Sequence, residues 1–274
     1  MRGRLNWFIV IAVILIAVNL RAPLTSVSPV LESMSGKLGM SHAVAGLVTT
    51  LPLMAFAVFS IVAPSLARRC GMERVLLAGL LLVSAGLIMR PWSGVAVLLI
   101  GTGIGGIGIA VCNVLLPAFI KRELPNQMGL MTGVYSVAMN LVGAIAAAVS
   151  IPLSVSFGWG WEWTLTLWAA PAIITAAYWT VFMKRKSRTQ PAAAQPLNAA
   201  AGKGSGLWRY ALSWQMTLHM GIQSFLFFVI MAWLPDIASE RGIDGATAGL
   251  MVSMMQFCGL PLNFIMPILA AKVK

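Results

Sequence analysis

Charge is scarce in this 274-residue chain: charged side chains make up 9% of it, and only seven of them are acidic. Soluble globular proteins carry about a quarter charged residues, so an ordinary soluble enzyme is excluded, as is a charge-rich disordered chain. Glycine is present at 26 residues without a collagen period. Three cysteines and two histidines leave no metal-ligand spacing and no disulfide framework. Paired carboxylates and a nucleophile–base set are also missing, so no enzyme is read here and no cofactor is implied. What remains is apolar: 59% of residues are hydrophobic, and the net charge is +12. That combination describes an all-α integral membrane protein.

Crossing about 30 Å of hydrocarbon takes roughly 20 apolar residues. Eight stretches qualify, at 7–31, 43–67, 75–89, 94–120, 128–152, 163–183, 210–237 and 246–271. They are continuously apolar instead of alternating, which makes them helices and not barrel strands. Arg2 and Arg4 before the first span resemble a signal-peptide start, but the apolar character resumes at Ala22 with no cleavage site, so it reads as a retained helix. With the N-terminus in the cytoplasm, fifteen of the nineteen basic residues fall on that side. Lys37, Arg90 and Arg241 fall in outer segments, and Arg21 falls within a span. The positive charge is thus a threading signal and not a nucleic-acid surface. Trp7, Trp92, Trp159, Trp161 and Trp208 are expected at the membrane interfaces.

Residues 184–206 read KRKSRTQPAAAQPLNAAAGKGSG, without apolar periodicity. A six-helix bundle over 1–183, a cytoplasmic linker over 184–208 and a two-helix unit over 209–274 follow. The two units echo one another. AGLVTTLPLMAFAVFSIVAPSLARR from Ala45 matches AGLMVSMMQFCGLPLNFIMPILAAK from Ala248, with Gly46-to-Pro64 and Gly249-to-Pro267 both eighteen residues apart. Pro29 and Pro235 mark the ends of the spans that precede them. Spans seven and eight thus copy spans one and two at an offset of 203 (249 minus 46). A duplicated six-helix half is the plan of a twelve-helix transporter. The repeat stops where a ninth helix should begin, so the chain is expected to be a fragment of a protein of roughly 390 residues.

The blocks NLRAPLTSVSPVL, LVTTLPLMAFAVFS, APSLARRCGMERVLLAGLLL, CNVLLPAFIKRELP, GVYSVAMN, SWQMTLHMGIQSFLFF and AWLPDI resemble, in order, the cyanate and 2-nitroimidazole transporter branch of the major facilitator superfamily. The resemblance runs through eight of the family's twelve helices and is stronger to nitroimidazole-type members. It implies a major facilitator-type helical bundle in a bacterial inner membrane. It also implies secondary active transport of a small polar or anionic solute, cyanate- or nitroimidazole-like, by alternating access. One departure is evident. The family's Gly-x-x-x-Asp-Arg-x-Gly-Arg-Lys loop corresponds to residues 63–74, where Arg68 holds the acidic position and only Arg69, Gly71 and Arg74 keep the pattern.

Arg21 is the strongest single candidate for chemistry. It sits about 21 Å from Trp7 and 15 Å from Leu31 at 1.5 Å per residue, near the midplane, where a cation costs roughly 2.5–3.5 kcal/mol. A guanidinium there can donate two hydrogen bonds to a planar solute, or pair with a helix carbonyl. Asn19 and Thr25 flank it, and Pro23 and Pro29 loosen the helix just beyond. Asn113 in span four, Tyr135 and Asn140 in span five, and Gln223 and Ser224 in span seven complete a candidate substrate site from spans one, four, five and seven. For each of these, interhelical hydrogen bonding is the competing reading. His219 is the candidate proton carrier, a proton being the candidate coupling ion. The run Gly103-x-Gly105-x-x-Gly108 fits the dinucleotide pattern but lies mid-span with no strand before it, so it reads as a helix-packing surface. The partners expected are a small-molecule solute and the lipid bilayer. The alternative reading is a truncated membrane fragment that does not transport.

Overall fold

A computed structural model describes residues 7–92, 94–189 and 210–272. Arg2, Arg4, Lys203, Trp208, Arg209, Lys274 and the linker beyond residue 189 lie outside the described residues.

Helix α1 (Trp7–Thr25) is apolar all round because it is central: Ala12, Val13, Ile16, Ala17 and Leu20 are all buried. It ends where Pro29 cannot donate to the Thr25 carbonyl. A short 3-10 turn (Ser28–Val30) then leads into α2 (Leu31–Leu38). Gly39, at φ 61°, closes α2 in the left-handed conformation that glycine adopts without strain. Next come α3 (His42–Cys70), α4 (Met72–Met89) and α5 (Gly94–Glu123). Gly71, at φ 90°, makes the tight joint between α3 and α4. Helix α6 (Met128–Ile151) runs on into a π-helical turn at Pro152–Ser156. The sixth span is divided into α7 (Gly160–Thr166) and α8 (Ala169–Thr189), and α9 (Ala211–Glu240) and α10 (Gly245–Lys272) follow. Among the described residues, eight segments are long and apolar enough to cross a membrane, as expected from the sequence.

One boundary differs from the expectation. Helix α8 continues to Thr189, so residues 184–189 are helical and not linker. No helix breaker precedes Pro191, and Lys186 is anchored. Its Nζ lies 2.8 Å from Glu73 Oε1 and 2.5 Å from Glu123 Oε1. Arg122 also pairs with Glu73, and its Nε lies 2.9 Å from Glu123. Trp179 Nε1 donates to the Glu73 carbonyl at 2.9 Å and stacks on Phe119 and Phe182, with ring centroids 5.2 and 5.0 Å away. This cluster joins α4, α5 and α8 at the end of the bundle where α1 begins, here called the near end. Glu73→Gln leaves two cations sharing Glu123. It is expected to lower stability by about 1–3 kcal/mol in unfolding titrations in mixed micelles; an unchanged midpoint would show the network to be ornamental.

Trp161, expected at a membrane interface, does not face outward. It is buried in a small apolar cluster at the far end with Val30, Met34 and Leu165.

The repeat is visible down to its caps. Helix α3 begins at His42 and α10 at Gly245, an offset of 203 (245 minus 42). The residues just before them correspond too. Ser41 Oγ accepts from Val44 N at 3.4 Å, and Asp244 Oδ2 accepts from Thr247 N at 3.0 Å. Those bonds from the Thr247 hydroxyl and backbone hold the Asp244 carboxyl below its ordinary range. The two copies take different neighbours in the bundle. Helix α3 packs along α5, and α10 packs along α6.

Candidate functional site

Arg21 and Thr25 lie one turn apart and share a face of α1, turned toward α6. The Thr25 hydroxyl donates to the Gly143 carbonyl at 2.8 Å. Arg21 Nη2 donates to Asn140 Oδ1 at 3.3 Å, and Asn140 is held in turn by a 2.9 Å bond from its Nδ2 to the Ser136 carbonyl. The guanidinium carbon sits 4.0 Å from the Phe227 ring centroid and 5.8 Å from that of Phe228, both on α9. Its Nε is buried with no partner. Among the described residues no carboxylate pairs with Arg21.

Glycine at 143 makes this arrangement fit. A Cβ there would stand 2.5 Å from Arg21 Cγ and 2.7 Å from Gln256 Oε1. Gln256, on α10, is 3% exposed, and neither its Oε1 nor its Nε2 has a partner. Ser253, one turn earlier, donates to the Ala144 carbonyl and fixes that stripe of α10 against α6. The site therefore gathers a cation, an aromatic face and an unsatisfied buried amide from α1, α6, α9 and α10. Unpaired donors buried this way are costly.

The placement differs from the expected grouping. Asn19 is two residues, about 200° of helix turn, from Arg21. It points to α8, where its Nδ2 donates to Thr175 Oγ1 at 2.8 Å and to the Leu15 carbonyl at 2.7 Å. Asn113 is half-buried on α5, which packs chiefly on α3 and α4, and it is not drawn to Arg21. Span eight takes the place expected of span four. Tyr135 is half-buried on α6, packed against the apolar core. Gln223 and Ser224 are exposed and precede Phe227 and Phe228 by one turn each, on the same faces. His219 is exposed about one turn further toward the near end. The glycine run packs helices as expected. A Cβ on Gly105 would meet Gly86, one on Gly108 would meet Val83, and one on Gly103 would meet Leu51.

Sequence reasoning missed Gln256, Gly143 and the two phenylalanines. Arg90 does lie in the turn after α4, as expected of an outer segment, but its side chain is 2% exposed, which sequence reasoning did not anticipate. Gln256 carried the same signal as Gln223, a polar group in an apolar helix. A phenylalanine in such a helix carries none.

The chain is 40% identical over 269 residues to the uncharacterized transporter YycB of Bacillus subtilis (strain 168), covering 98% of the chain and 65% of that protein. It is 34% identical over 272 residues to the 2-nitroimidazole transporter of Escherichia coli (strain K12), covering 99% of the chain and 68% of the relative. The chain thus spans about two thirds of the length of these relatives. The crystal structure of a D-xylose–proton symporter superposes with a TM-score of 0.72 at 15% identity, over 97% of this chain and 69% of the other. Residues 8–274 match the Major Facilitator Superfamily. This multi-pass membrane chain, all-helical in its described residues, belongs to the Major Facilitator Superfamily, a family of transporters and not of enzymes.

Proposed function

We propose that the chain provides the solute site of a secondary transporter that moves a small, planar, polar or anionic solute by alternating access. The observation that carries this reading is Arg21, a half-buried guanidinium set over the Phe227 ring, with a buried, unpartnered Nε and, among the described residues, no carboxylate paired with it. A flat solute extends the stack on the ring. Two oxygens on one face of it, as in a nitro or carboxylate group, match the guanidinium's parallel donors. Gln256 supplies a donor and an acceptor for the rest of the solute edge. A nitroimidazole, the solute named for one of the relatives, has this form. The site also lies between helices of the two repeat units, where rocking of one against the other changes access.

We assign the membrane as a bacterial inner membrane, with the near end cytoplasmic. The basic residues Arg68, Arg69, Arg74, Lys121, Arg122 and Lys184–Lys186 gather at the ends of α3, α5 and α8 and at the start of α4.

The test uses the 274-residue chain in nanodiscs and in vesicles. Saturable binding of 2-nitroimidazole or cyanate, with none of the neutral sugar xylose, is expected. Absence of saturable binding for every nitro compound and small anion tried would sink the reading. Binding without counterflow in vesicles would select a non-transporting chain.

A further inference from the structure

Arg90 follows the last residue of α4 at the far end and is turned inward. Its Nη1 donates to the Pro23 carbonyl at 3.1 Å, in the last turn of α1, and its Nε is buried with no partner. Ser28, in the 3-10 turn after α1, is 3% exposed and its hydroxyl also lacks a partner. Both side chains line one cavity of about 20 Å³, whose wall includes Thr49 from α3 and Phe228 and Met231 from α9. A space of that size holds one water-sized group. Among the described residues no carboxylate lines it and none pairs with Arg90.

Arginine remains charged at any physiological pH. A buried cation with one carbonyl partner and no counter-charge is poorly compensated in a low-dielectric interior. A water molecule would satisfy the Nε–H but would leave the charge. A small anion would do both, and the Ser28 hydroxyl would be its second donor.

We propose that Arg90 and Ser28 form a second anion site, sized for a halide or similarly small monovalent anion. It lies on the far side of Arg21: Leu24 to Ser28 are three to seven residues on, about 5–10 Å at 1.5 Å per residue. Phe228 borders both cationic positions, because its ring also stands 5.8 Å from the Arg21 guanidinium. The two stations are thus divided by one aromatic wall. An anion arriving from the far end meets Arg90 before Arg21. The proposal does not depend on what Arg21 binds.

The experiment is a calorimetric titration of the chain in nanodiscs with sodium bromide against sodium gluconate at constant ionic strength. Wild type is expected to bind bromide saturably. Ser28→Ala leaves the Arg90 clamp on Pro23 intact and is expected to weaken binding roughly tenfold, the loss of one charge-assisted hydrogen bond. Arg90→Gln is expected to abolish binding; should that variant fail to fold, Ser28→Ala still decides. Arg21→Ala removes no group that lines the Arg90 cavity and is expected to leave bromide binding saturable, with a smaller loss of affinity than Ser28→Ala. No saturable bromide binding by wild type would overturn the proposal. So would binding that survives Ser28→Ala unchanged and disappears in Arg21→Ala. Retained bromide binding in a chain that binds no nitro compound or cyanate would leave the Arg90 site standing and remove the reading of Arg21.

Discussion

Arg21→Ala is expected to lower solute affinity at least about 100-fold while the bundle stays folded. Two charge-assisted hydrogen bonds contribute roughly 1.5–3 kcal/mol each, and 2.8 kcal/mol is about a factor of 100. Stability should not suffer. The variant removes a cation that makes one 3.3 Å bond to Asn140 and sits over two phenylalanine rings, with no ion pair among the described residues. Arg21→Lys keeps the charge but loses the planar fork and the stacking, so it should recover no more than about tenfold. Gly143→Ala provides a third point. Its Cβ would displace Arg21 Cγ and Gln256 Oε1 together, so affinity should fall through the positions of both groups and without a new solute contact. Equilibrium binding in nanodiscs reads all three. Normal affinity in Arg21→Ala would take this residue out of the site.

Arg21 was legible because a charge in an apolar span is anomalous on its own. Its companions were not equally legible, for reasons of geometry. Asn19 is near in sequence but lies about 200° around the helix, so periodicity alone could have separated it from Arg21 and Thr25. Gln256 and Asn113 give identical signals, a polar side chain in an apolar run, and only the packing of α10 on α6 and of α5 on α3 and α4 tells them apart. Arg90 looked like a loop cation because Pro91 and Trp92 follow an apolar stretch. The broken end of α1 lies over it, and no local rule anticipates that contact. The spans, by contrast, were set by length and hydropathy, and the repeat offset carried through to the capping residues Ser41 and Asp244.

The largest stability effect is expected at Gly86. In lipid, burying apolar surface between helices gains little, so close van der Waals contact between small residues holds them together. Helices α4 and α5 use this throughout their length. A Cβ on Gly86 would stand 2.5 Å from both the Gly101 carbonyl oxygen and the Gly105 nitrogen, and 2.7 Å from Gly105 Cα. A Cβ on Gly101 would meet the Gly86 oxygen at 2.8 Å, and one on Gly79 would meet Cys112 Sγ at 2.7 Å. The three atoms nearest a Cβ on Gly86 are all backbone, so no side chain can rotate away and the helices themselves must part. Gly86→Ala should therefore lower the unfolding free energy by about 2–3 kcal/mol, at the upper end of overpacking costs, and Gly86→Leu by more. Gly221→Ala is the control: a Cβ there meets nothing within 4 Å, and its effect should stay within about 0.5 kcal/mol. The separation also has a consequence at the far end. A Cβ on Gly101 would lie 3.3 Å from the Arg90 nitrogen, so the same interface seats the residue that clamps Pro23. Parting α4 from α5 should draw Arg90 off the α1 carbonyl and weaken bromide binding along with stability. Unfolding titrations in mixed micelles, followed by tryptophan fluorescence, measure the first effect and calorimetry the second. A neutral Gly86→Ala would mean that the two backbones have slack, and that neither the interface nor the Arg90 clamp depends on their close approach.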